Sequence, residues 1–396
     1  MARDIILGAT ISLAALVAAQ AEARQADPRK ACAVEARLPT PRDPVGKEFD
    51  AIVAERAIQV CTRALDARPD DPDILANLGR AYSRDKQPAR ALALLERAAA
   101  RGSMQAANTL AAIHAEGNGG PRDAARGLAY AKLGENSDHA WIVAKLGYYY
   151  LNGTGAPADV PRGIALTERA VALGNAESAR DLGDIYRFAT YGVAQDFARA
   201  RHWYGRASKM GDADSIAALG FMTEKGQGAP VDLVEARRLY AQGVAKGSAW
   251  AALGLGVMVR GGGGGAADPG EALRLFTLAA DGGEAEGMRQ LGYHHRHGIG
   301  VARDLQMAIA WYRKAAEQGY ARAQYNLGQR YENGQGVARD MAAAIAWYRM
   351  AAEQGPAPAQ FWLALRHEKG SGGVDQDMAE AVRWYRAAAA QDHVSS

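Results

Sequence analysis

The chain has 396 residues, 48% of them hydrophobic, with 45 glycines, 6 phenylalanines and a formal net charge of +3. It holds no long run of like charge, which excludes the basic footprint of a nucleic-acid binder and a polybasic membrane anchor. Length alone suggests two or three globular domains, but self-similarity at a fixed period overrides that expectation, because a solenoid grows in one dimension.

Residues 1–23 read as a secretory signal peptide. Arg3 makes the start positive, offset by Asp4, and Ile5 to Ala19 is apolar. Ala19-Gln20-Ala21 and Ala21-Glu22-Ala23 both fit the cleavage pattern. The alternative is an uncleaved anchor, but this apolar run is shorter than the roughly 20 residues that span a bilayer. No later stretch is apolar enough to span, so no stable membrane insertion is expected after cleavage. The mature chain is expected to be periplasmic or secreted. Its only cysteines, Cys32 and Cys61, read as one disulfide in such a compartment; two unpaired buried thiols are the alternative.

Residues 24–47 carry Pro28, Pro39, Pro41 and Pro44 and read as an extended or loop segment tied down at Cys32. Phe49, Val53, Ala57, Val60, Cys61, Ala64 and Leu65 then recur at spacings of three and four, one face of a helix. Pro69-Asp70-Asp71-Pro72 stops it. Residues 24–71 are thus expected to cap the first repeat, whose outer face has no neighbour. Residues 72–103 form one tight repeat. Its "NLGRAY" and "ARALALLERA" resemble a tetratricopeptide repeat.

From residue 104 to the C-terminus the units are longer. Leu110, Leu146, Leu182, Leu219, Leu255, Leu291, Leu327 and Leu363 are anchors spaced by 36 or 37 residues. Most are followed by glycine (Gly147, Gly183, Gly220, Gly256, Gly292, Gly328), expected to let two helices approach. A glycine pair such as Gly298/Gly300 or Gly334/Gly336 turns the chain. An aspartate (Asp123, Asp159, Asp196, Asp232, Asp268, Asp304, Asp340, Asp377) is placed to cap the second helix. An aromatic such as Tyr240, Tyr312 or Tyr348 marks that helix, and Gly211, Gly247, Gly283, Gly319 or Gly355 ends it. Counting the tight repeat, nine antiparallel helix pairs are expected, in an all-α superhelical solenoid.

These columns resemble the Sel1-like repeat, a longer relative of the tetratricopeptide repeat, over roughly residues 104–390. The likeness is clearest in Leu291–Ala316 and Leu327–Ala352. Ala189 and Tyr191 depart from it by replacing the glycine pair of one unit. The resemblance implies an α/α superhelix that binds proteins, often in bacterial envelope or signalling settings.

Candidate chemistry is sparse. Ser83-Arg84-Asp85-Lys86 fits S-x-x-K, the nucleophile motif of penicillin-recognising enzymes, but K-T-G and S-D-N are absent from the sequence. His294 and His297 could share a metal one helical turn apart, yet nothing in the sequence completes such a site, and His295 falls in the packing column of Tyr331. The Trp-Tyr pairs at 203–204, 311–312, 347–348 and 384–385 could form a sugar platform; their strict repeat position reads instead as inter-repeat packing. No cofactor or metal is expected, and no enzymatic activity. The alternative is an envelope enzyme or binder acting on peptidoglycan or β-lactams through Ser83 and Lys86.

A concave face lined by first helices remains as the functional surface, for a protein or peptide partner of a monomer. Positions two and five residues either side of the anchor leucine are expected to be exposed there. They hold Trp141, Tyr148, Arg180, Arg187, Phe221, Trp250, Arg260, Arg289, Tyr293, Arg296, Arg322, Tyr325 and Phe361. Arg289, Tyr293 and Arg296 share one helical face and are expected to take an acidic or aromatic-containing segment, at no cost to folding if replaced.

Overall fold

The computed structural model describes residues 28–36, 53–117 and 122–392; the expected signal peptide and Phe49 lie outside them. All regular structure among these residues is helical. In chain order the helices are α1 (Pro28–Ala36), α2 (Ala54–Ala67), α3 (Pro72–Arg84), α4 (Pro88–Ala100), α5 (Met104–Glu116), α6 (Ala124–Leu133), α7 (Ala140–Asn152), α8 (Val160–Ala172), α9 (Ala176–Phe188) and α10 (Phe197–Lys209). They continue as α11 (Ala213–Glu224), α12 (Leu233–Ala245), α13 (Ala249–Gly261), α14 (Pro269–Asp281), α15 (Ala285–His297), α16 (Leu305–Glu317), α17 (Ala321–Asn333), α18 (Met341–Glu353), α19 (Ala357–Lys369) and α20 (Met378–Asp392). The chain divides into two compact units between Ala194 and Gln195.

The first unit holds α1 and α2, the pairs α3/α4, α5/α6 and α7/α8, and α9. α1 corrects one expectation: residues 28–36 of the segment expected to be extended or loop are helical, with Pro28 at the first helical position, where its missing N–H costs nothing. Cys32 and Cys61 join α1 to α2 as a disulfide. Both are buried with Ala36, Ala57, Ala64, Ile74 and Leu78, so the two helices cover the apolar face of α3.

The second unit holds α10 and the pairs α11/α12, α13/α14, α15/α16, α17/α18 and α19/α20. One continuous core runs from Ala217 to Leu327, because the anchors Leu255, Leu291 and Leu327 are buried and each helix pair packs on the next. The aspartate column caps as its position requires. Asp159, Asp232 and Asp340, for example, each accept from the backbone N–H three residues on; Asp304 accepts from Gln306 and Met307. The Trp-Tyr pairs pack in the core, with Trp203, Tyr204, Tyr312 and Tyr348 buried.

Two glycine columns do more than lend flexibility. The glycine after the anchor lies against the aromatic of the second helix: a Cβ on Gly256 would stand 2.8 Å from the Phe276 ring, and one on Gly328 would stand 3.0 Å from Tyr348. The second glycine of each turn pair has positive φ and also abuts the start of the preceding unit's second helix. A Cβ on Gly300 would be 2.4 Å from the Pro269 carbonyl oxygen. In the departing unit Ala189 and Tyr191 take φ of 56° each, so the turn geometry persists although neither residue is suited to it.

Candidate protein-interaction face

In the first unit Trp141 and Tyr148 stand out from α7, 58% and 54% exposed. Arg180 is half-buried near Glu177. Arg187 was expected on the same exposed face but is buried, its guanidinium 4.7 Å from the exposed Phe188 ring.

In the second unit Phe361 projects from α19 with 55% exposure, and Arg322 is exposed at the start of α17. Phe221 and Trp250 are half-buried and face each other at 6.5 Å. Tyr325 lies 5.4 Å from Tyr348 and accepts a hydrogen bond from Gln329. Tyr293 packs on His297 with ring centroids 4.3 Å apart.

Arg289 overturns one expectation. Its guanidinium makes two hydrogen bonds to Glu286, at 2.6 and 2.7 Å, and its side chain is only 17% exposed. It is therefore committed within its own helix, and its removal would leave the half-buried Glu286 carboxylate without its cation. Burial pushes the Glu286 carboxyl up, but the Arg289 bond and charge outweigh this and hold it below the ordinary carboxylate value. Gln290 also donates to Glu286 and in turn accepts from Arg260 at 2.6 Å.

The positions five after the anchor differ from the rest. In four repeats they meet the aromatic of their own pair rather than pointing outward. Tyr240 Oη donates to Glu224 at 3.1 Å, Tyr348 Oη to Glu332 at 2.8 Å, and Tyr385 Oη to Glu368 at 2.7 Å. Arg260 sits in this column over the Phe276 ring, 6.0 Å from its centroid, and the half-buried Arg296 occupies it with its charge acting on Tyr312. The sequence held the signal, since the aromatic and the fifth position after the anchor both recur at the repeat spacing; the distance in sequence between the two concealed their contact.

The other candidates are structural. His294 is buried, its Nδ1 bonded to the Ile299 carbonyl at 2.9 Å and its ring against Phe276. Among the described residues no cluster of histidine, cysteine or acidic side chains could hold a metal ion. Ser83 lies in the last turn of α3, and Lys86 is exposed in the following turn with φ of 59°. Their link is between backbones, the Lys86 N–H donating to the Ser83 carbonyl, with no side-chain bond of nucleophile to base. A cleft of about 440 Å³ lies over the starts of α11, α13 and α15, lined by Asp212, Asp214, Ser248, Trp250 and Glu284. Ser248 there donates to Asp214 at 2.6 Å.

Antiparallel helix pairs that repeat every 36 or 37 residues and bury their aromatic column define an α/α repeat protein. The Sel1 repeat matches eight segments of the chain: 105–139, 143–175, 176–212, 213–248, 251–284, 285–320, 321–356 and 357–393. The chain belongs to the Sel1 repeat family. A tetratricopeptide repeat matches residues 54–113. The chain is similar to c5321, a protective antigen present in uropathogenic Escherichia coli strains, with 26% identity and a TM-score of 0.60 over 84% of this chain and 79% of that one. It is also similar to a Sel1 repeat protein from Oxalobacter formigenes, with 26% identity and a TM-score of 0.64 over 78% and 90% of the two chains. No curated protein matches the sequence. Sel1 repeat proteins are in general protein-interaction scaffolds, and the fold is typically non-enzymatic. Among the described residues no helix is long and apolar enough to cross a membrane.

Proposed function

We propose that the protein is a non-enzymatic interaction scaffold of the periplasm or the extracellular space, binding a protein or peptide partner on the concave side formed by first helices. Residues 24–71 would act as its N-terminal cap, 72–103 as a tetratricopeptide-like repeat and 104–396 as the Sel1-like array. The observation that carries this reading is the exposure of Trp141, Tyr148 and Phe361, all on first helices and all more than half accessible. Large apolar rings cost free energy in water, and such aromatics dominate binding energy where they are found at interfaces. The Cys32–Cys61 bridge supports an oxidising compartment, as does the apolar stretch from Ile5 to Ala19. The protective-antigen character of the Escherichia coli relative supports a setting outside the cytoplasm.

The test is crosslinking in the native host with a tagged chain, followed by partner identification and a binding assay with the purified partner. Trp141→Ala with Tyr148→Ala, and separately Phe361→Ala, should weaken binding at least tenfold for whichever unit carries the contact. Undiminished binding in both variants would overturn the assignment of this face. Hydrolysis of a chromogenic β-lactam by the purified protein, lost in Ser83→Ala, would overturn the non-enzymatic reading.

A further inference from the structure

Glu332 shows how the array normally fills one recurring niche. The carboxylate sits in the column five after the anchor. It accepts from Tyr348 Oη at 2.8 Å, from Trp362 Nε1 at 3.1 and 3.3 Å, and from Arg366 Nη2 at 2.6 Å. The tyrosine belongs to the same unit, and the tryptophan and arginine to the next. Counting back 36 residues gives the preceding niche: Tyr312, Asn326 and Arg330, with Arg296 where the glutamate would be.

Arg296 thus stands at the register position of Glu332, and its charge acts on Arg330. Arg330 is only 3% exposed. Its hydrogen-bond partners are neutral, Gln335 and Gln329, and its Nε is buried without a partner. No acidic side chain among the described residues pairs with Arg330 or Arg296. Burial, with the Arg296 charge adding to it, pushes the Arg330 guanidinium below its ordinary value. The Tyr312 side chain lies within the fields of Arg296, Arg330 and Arg289. A buried guanidinium without a counter-charge is costly, and the neighbouring niche shows which group satisfies one.

Building on the scaffold reading, we propose that the niche of Tyr312, Arg296 and Arg330 binds an aspartate or glutamate carboxylate of an acidic partner segment, taking the place that Glu332 holds one repeat later. A carboxylate is favoured over other anions because the same niche, built on the same columns, already holds one. Arg330 supplies the counterpart of the Arg366 bond, Tyr312 Oη that of the Tyr348 bond, and Arg296 adds a second cation from the register position of Glu332. Charge-assisted bonds of this kind are the strong ones. Arg322, exposed on α17, adds positive charge for neighbouring acidic residues.

Fluorescence anisotropy with labelled hexaglutamate and hexaglutamine, on the full mature chain at low salt, tests this. Hexaglutamate should bind and hexaglutamine should not. Arg296→Glu supplies the missing carboxylate internally, so it should abolish hexaglutamate binding while leaving the melting temperature equal or higher. Arg296→Gln should weaken binding at least fivefold. Arg349→Gln, an equal charge change at an exposed second-helix position, should change it less than twofold. Equal weakening by Arg296→Gln and Arg349→Gln, or a fall in melting temperature on Arg296→Glu, would overturn the niche. So would stronger competition by phosphate than by free glutamate at equal ionic strength, which would mark an inorganic-anion site. Crosslinked partner binding that is sensitive to Trp141 or Phe361 but indifferent to Arg296→Glu would overturn this inference and leave the scaffold reading standing.

Discussion

Gly292 lies so close to the Tyr312 ring that a Cβ there would stand 2.7 Å from two ring carbons. Alanine would gain about 1 kcal/mol of helix propensity at this position, while the overlap would cost about 1–3 kcal/mol. Gly292→Ala should therefore fail to stabilise the protein and should cost up to about 2 kcal/mol in urea denaturation. In a Tyr312→Ala background the same change should become neutral or stabilising, because the clash is gone and the propensity remains. A stabilising Gly292→Ala in the wild-type chain would show that the ring does not confine this glycine.

Glu332 gathers donors from two successive units, and neither it nor Arg366 is more than a quarter exposed. Removing one partner of such a pair leaves the other desolvated and unpaired. Glu332→Ala should cost about 2–3 kcal/mol. Glu224→Ala, whose carboxylate accepts from Tyr240 and pairs with the exposed Lys225, should cost about 1 kcal/mol. Chemical denaturation of both variants checks the order; equal costs would mean that the Arg366 and Trp362 bonds contribute nothing.

Ala189 and Tyr191 hold left-handed backbone where other units have glycine. That conformation costs about 1–2 kcal/mol for a non-glycine residue, partly offset by the extra unfolded-state entropy of glycine. Ala189→Gly is expected to stabilise by about 0.5–1 kcal/mol. A destabilised Ala189→Gly would show that the side chain has a compensating role at this turn.

Burial pushes the His294 imidazole below its ordinary value, and the Arg260 charge adds to this against the bond to the Ile299 carbonyl. The folded state thus binds this proton more weakly than the unfolded chain does. Stability should fall as the pH drops through about 6.5, the ordinary histidine value, and go on falling until the lower folded value is passed. His294→Met, which places here the residue found at Met258 one repeat earlier, should flatten the stability profile across that window. An unchanged slope would assign the acid sensitivity elsewhere.

The Cys32–Cys61 bridge closes a loop with a sequence separation of 29. Its reduction should cost roughly 3–4 kcal/mol in the chain-entropy picture, felt first where α1 and α2 cover α3. Hydrogen exchange with and without reductant should show lost protection in α2 and α3 before α15 to α20. Intact mass of protein from the oxidising compartment should show no free thiol.

Much of this protein was legible in the sequence. Period, helix pairing, aspartate caps and turn glycines are local or periodic: Asp340 caps because it stands three residues before the N–H it accepts from, and Gly319 ends α16 because φ of 84° suits glycine. The cysteine pairing, too, followed from there being only two. Tertiary structure decided what each column faces. The fifth residue after the anchor is expected to be exposed by analogy with other repeats, yet Glu332 turns towards the second helix and the next unit, 34 residues further on. Arg289 looked free because its partner Glu286 lies on the same helix, where a charge pair and an open face have the same spacing. The short helix α1 is concealed in the sequence because prolines signal breaks, although Pro28 begins a helix whose Cys32 and Ala36 pack against α2 and α3. Periodicity measures distance along one helix; which side chains meet across helices depends on packing between elements far apart in sequence.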